Sequence, residues 1–120
     1  MNIILWILQI ILAAIFLTLG SIKTVLPKEK LVKVFEWADD FSKNKLKVIG
    51  SFEIIGAFGL FIPGVYSMPE ILIPLASTGL AIIMVLAAIT HYNRGEKSDL
   101  ILNIVLFILL AVVIVGRLAF

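Results

Sequence analysis

Four long apolar stretches follow one another along the chain, Ile3 to Leu26, Leu46 to Ile62, Ile71 to Thr90 and Leu100 to about Leu118, each with few charges inside it. A hydrocarbon core about 30 Å thick takes roughly 20 residues of helix, so every stretch is of spanning length, the second only just. Backbone groups in lipid must be bonded within the segment, which makes all four helical. The pattern predicts an all-α membrane protein, a four-helix transmembrane bundle in a single domain over 1–120. Pro27 has no amide hydrogen with which to continue the first helix, and Pro63 with Gly64 opens a turn that runs to Pro69.

The connection between the first two spans reads "PKEKLVKVFEWADDFSKNK". Leu31, Val34, Phe35, Ala38 and Phe41 recur at three- and four-residue spacing, while lysines and acids hold the other positions. This predicts an amphipathic helix over about 28–44. Trp37 and the lysine-rich flanks point to the membrane–water interface, the alternative being a solvated helix packed on the bundle.

Composition strengthens the membrane reading: 62% of the 120 residues are hydrophobic and mean hydropathy is +1.16, against about 45–50% apolar residues in a soluble domain. The run after Met1 and Asn2 is too long for a signal-peptide core of about 7 to 15 residues and reads as a retained span. A formal net charge of +2 arises in the connections rather than on a nucleic-acid-binding surface. Lys28, Lys30, Lys33, Lys43, Lys45, Lys47, Arg94 and Lys97 share one side, and only Arg117 lies near the other. The positive-inside bias then puts the first and third connections in the cytoplasm and both termini outside, in a multi-pass cell-membrane protein. With no cysteine, the chain has no disulfide, thiol redox chemistry or cysteinyl metal ligand.

Against this background the polar residues within spans stand out. Counting 1.5 Å per residue, Glu53 lies about 9 Å and Lys23 about 5 Å inside the lysine-rich end, and Asn103 about 5 Å inside the fourth span. His91 falls at the same end of the third. Gly50, Gly56 and Ala57 share a helix face with Glu53, Gly20 precedes Lys23 by one turn, and Ala87 and Ala88 precede His91. Glu53 therefore faces the bundle, tolerated either by pairing with Lys23 or by being protonated and bonded to His91 or Asn103. The cluster reads as a ligand or proton site, with an interhelical lock that binds nothing as the competing interpretation. One histidine excludes bis-imidazole haem and multi-histidine metal sites, and no metal is expected. Met68 and Met84 read as packing residues.

The segments "LGSIKTV", "IGSFEIIGAFGLFIPG" and "PEILIPLASTGLAIIMVLAAITHYNRGE", with the apolar fourth span, resemble the DoxX-like family of small four-span membrane proteins. The resemblance implies that fold, and Lys23, Glu53, His91 and Glu96 match polar positions of the family pattern. Some relatives belong to membrane redox systems, including a thiosulfate to quinone oxidoreductase and oxidative-stress complexes, and distant ones assist receptor assembly. The resemblance assigns no catalytic role to the matched residues; taken with the polar cluster, the expected function is an intramembrane pocket for a small amphipathic molecule such as a quinone. Lys23 and His91 would donate to its oxygen, Glu53 would accept or relay a proton, and Glu96 would hold His91 or gate the rim. The chain carries no redox centre, so electron transfer would need a partner subunit or bound cofactor, and catalysis by the chain alone is not expected. Two other classes compete: a proton-coupled exporter, acting as a homodimer, and an assembly or structural subunit without a ligand.

Overall fold

The computed structural model describes residues 3–119. Its helices are α1 (Ile3–Val25), α2 (Lys28–Val34), a short 3-10 helix (Glu36–Asp40), α3 (Lys43–Val65), α4 (Leu72–Arg94) and α5 (Lys97–Ala119), with no strand among the described residues. The four long helices have 23 residues each, about 34 Å at the helical rise and enough to cross a bilayer. Only about a third or less of each spanning stretch is buried, and Ile4, Ile55, Leu86 and Val115 are among the outward apolar side chains. Such a surface is unstable in water and suited to acyl chains.

Inside, Leu12, Phe16, Ala57, Leu60, Leu80, Leu110 and their neighbours form one continuous core. The closest packed neighbours are α1 with α3 and α4 with α5, joined by α3 against α4 and α1 against α5. Ser77 ties α4 to α5 by donating to the Leu110 carbonyl at 2.8 Å. At Gly20 and Gly50 the backbones of α1 and α3 meet: a Cβ added to Gly20 would lie 2.6 Å from the Gly50 carbonyl oxygen, and one on Gly50 2.8 Å from that of Gly20.

Several predicted boundaries move. The expected amphipathic helix over 28–44 is broken, because Phe35 is extended at φ −125° and ψ 104° and Phe41 at φ −116° and ψ 145°. The break lets Leu31, Ala38 and Leu46 form a second small core, flanked by Phe35, Trp37 and Phe41, which a straight helix could not fold back to make. Val34, assigned by spacing to the buried face, is exposed. Lys43 and Asn44 belong instead to α3, whose start is capped by Ser42 accepting from the Lys45 amide at 3.2 Å.

Pro63 does not end the second span. The missing amide forfeits the bond to the Gly59 carbonyl, and the helical pattern continues with Tyr66 N–H donating to the Ile62 carbonyl at 3.0 Å. Downstream, α4 runs to Arg94, one turn past Thr90, and α5 begins at Lys97, before Leu100. His91 thereby sits within the last turn of α4.

The Gly20/Gly50 contact yields a direct prediction. Gly50→Ala forces the two backbones apart and lowers stability by about 1 to 3 kcal/mol, the usual cost of overpacking, read as a fall in the midpoint of thermal unfolding in detergent. Gly79→Ala, where a Cβ meets nothing within 4 Å, leaves that midpoint near wild type.

Candidate functional site

The close approach of α1 and α3 carries Lys23 and Glu53 together. Each follows one of the two contact glycines by three residues, and Lys23 Nζ donates to Glu53 Oε1 at 2.6 Å. Glu53 is fully buried and Lys23 nearly so. Of the two arrangements open from the sequence, the structure adopts the ion pair; His91 and Asn103 bond elsewhere. Lys47 reinforces the junction by donating to the Thr24 carbonyl at 3.2 Å, at the end of α1 where carbonyls lack helical partners.

His91 owes its partner to a turn. Gly95 takes a left-handed conformation at φ 74° and ψ 21°, which is open to glycine without the Cβ penalty. The chain folds back so that Glu96 N–H donates to the His91 carbonyl at 2.9 Å. The same reversal puts Glu96 Oε1 2.8 Å from His91 Nδ1 and 3.3 Å from Arg94 Nε. An ionised carboxylate only accepts, so Nδ1 carries the proton in this contact. That hydrogen bond from His91, aided by Arg94, holds the Glu96 carboxyl below the ordinary range.

Asp99 Oδ2 lies 3.9 Å from His91 Nδ1. The ligand atoms of His91, Glu96 and Asp99 all fall within 4.8 Å of one another, a one-nitrogen, two-carboxylate set of the kind that suits divalent cations. Histidine counting does not anticipate this grouping, which arises from the Gly95 reversal.

Between these two pairs lies a cavity of about 410 Å³, lined among others by Lys23, Glu53, His91, Asn103 and Asp99, within the 300 to 1,000 Å³ range typical of small-molecule sites. Ala87 is also in its wall, whereas Gly56 instead packs under Leu80 of α4, away from the polar cluster. Trp37, reached through the broken connection, closes the rim: its ring centroid is 5.2 Å from Lys23 Nζ and 5.8 Å from the His91 ring. Phe35 and Phe41 flank it at 5.5 and 5.6 Å. Met84, read as packing, is buried in the core and also accepts from Asn103 Nδ2 through its sulfur at 3.3 Å.

The sequence reading missed a second polar group at the opposite end. Gln9, fully buried, donates to the Leu60 carbonyl at 2.6 Å and accepts from Arg117 Nε at 2.5 Å, while the Arg117 guanidinium lies 5.3 Å from the Trp6 ring. The signal was a glutamine one turn from a tryptophan in the first span and a lone arginine near the end of the fourth, visible only once antiparallel packing is assumed.

Four apolar helices around a polar cavity at one end define a small multi-pass helical membrane protein. The chain belongs to the DoxX-like family, whose profile matches residues 7–113, most of its length. All five predicted site residues fall within the match, and Arg117 lies beyond it. No curated protein and no solved structure matches the chain.

Two predictions concern these pairs. Lys23→Met or Glu53→Gln alone disrupts a buried pair and costs about 3 to 5 kcal/mol, whereas the double substitution leaves neither charge and recovers most of the loss; a thermal double-mutant cycle measures both. Glu96 is an acid held below its ordinary value, so its contribution is present above the ordinary carboxylate range and is lost as pH falls through its lowered pKa. The difference in melting temperature between wild type and Glu96→Gln therefore persists at neutral pH and closes in acid.

Proposed function

We propose that this DoxX-like protein binds a small amphipathic molecule in the cavity beneath Trp37, with quinone-type rings the first class to examine and a membrane redox or stress-response system the setting. The observation that carries the reading is a cavity of about 410 Å³ whose largely apolar wall concentrates Lys23, Glu53, His91, Asp99 and Asn103. Hydrocarbon exacts a cost for each such group, and a chain that gathers several around one space has a use for that space.

In this reading the lysine-rich end faces the cytoplasm, and the cavity is entered from that leaflet. Lys23 has ammonium hydrogens beyond the one given to Glu53, and these serve a ligand oxygen. Glu96 acts through His91, fixing its ring while leaving Nε2 free to face a ligand as an acceptor in the neutral form. The chain is an accessory or binding subunit, with any electrons supplied by a partner or bound cofactor.

A second reading has one observation in its favour: Glu53 is fully buried and already paired at 2.6 Å, which is what a register-fixing lock needs. Thermal shifts separate the two. A binding ligand stabilises the native state by about 2.7 kcal/mol at one hundred times its dissociation constant. Ala87→Phe, which fills the cavity without touching the ion pair, is expected to abolish the shift given by a quinone and amphiphile panel while the unliganded protein stays folded. A lock without a ligand gives no shift in either protein.

A further inference from the structure

Two oxygens on residues lining the cavity have no hydrogen-bond partner among the described residues. They are Glu53 Oε2 and Asn103 Oδ1, both on side chains more than nine-tenths buried and both in the cavity wall. Lys23 engages only Oε1 of the carboxylate. The Asn103 amide is oriented by Met84, whose thioether accepts and never donates, so the nitrogen faces sulfur and the oxygen is left over. Buried acceptors without donors are costly, and a guest that supplies donors recovers that cost while a guest bearing only acceptors does not.

Charge and shape point the same way. The wall holds two carboxylates, Glu53 and Asp99, against one lysine and His91, and Trp37, Phe35 and Phe41 are part of it, with Lys23 Nζ already over the Trp37 ring. Aromatic faces beside carboxylates favour a head that carries hydrogens with positive character.

Resting on the ligand-pocket reading above, we infer that the cavity selects molecules whose head group donates hydrogen bonds, to Glu53 Oε2 and Asn103 Oδ1, and whose body is apolar. Two sources share that chemistry, a protonated amine and a hydroxylated ring such as a hydroquinone. An oxidised quinone, which only accepts, is disfavoured even with the same tail. The acceptors thus discriminate by hydrogen count, and of a quinone couple the pocket retains the reduced member.

The test uses three probes with one tail, octylammonium, octylhydroquinone and octylbenzoquinone, titrated calorimetrically under anaerobic conditions into the full chain in lipid nanodiscs. Ala87→Phe serves as the control for partition into lipid. Binding of at least one donor head about tenfold or more tighter than octylbenzoquinone, with the gap narrowed in Asn103→Leu, supports the inference; which donor is tighter identifies the source. Equal binding of all three probes, or a preference for octylbenzoquinone, overturns it while the pocket stands, provided Ala87→Phe removes the signal. If no probe binds wild type better than Ala87→Phe, the pocket reading itself fails and the inference falls with it. Asn103→Leu keeps the test decisive should Glu53 variants not fold, because it leaves the Lys23 pair intact.

Discussion

An ion pair survives in hydrocarbon only if the partners are held at contact distance and kept from lipid, since the loss of hydration is offset by attraction at short range alone. Lys23 and Glu53 meet that condition because α1 and α3 touch backbone to backbone at Gly20 and Gly50, one turn away. Larger side chains there would separate the helices and strand both charges. Much else follows from this junction: the position of Lys47 on the end of α1, the placing of Trp37 over Lys23, and the cavity left where α4 and α5 stand back from the paired helices.

The spans were legible because lipid imposes a simple rule on sequence, a long apolar run whose backbone can bond only to itself. So was the layer of polar groups, since helical rise converts position into depth without knowledge of packing. What escaped depended on contacts between distant segments. Phe35 and Phe41 keep a helical spacing yet are extended, because the gain from folding Leu31 and Ala38 onto Leu46 exceeds the local preference. Pro63 reads as a stop, but it lies two residues from the end of α3, which runs on to Val65. Trp37 reads from sequence as an interfacial marker, and its place over Lys23 and His91 depends on the break in the connection.

The two ends of the bundle are built on different principles. At the lysine-rich end the polar groups surround a space. At the other, Gln9 spans α1, α3 and α5 in one compact knot, bonding to Leu60 and to Arg117. Burying a glutamine is tolerable there because its amide both donates and accepts at short range.

The chain has two tryptophans, and the fold assigns one to each end, both against a cation: Trp37 beside Lys23 and Trp6 beside Arg117. Indole emission depends on nearby charge and polarity, so the protein carries two built-in optical reporters that watch separate regions. With Trp6 exchanged for phenylalanine, the remaining indole emission comes from the cavity rim alone. Events at the rim then become visible with that single substitution and no attached dye.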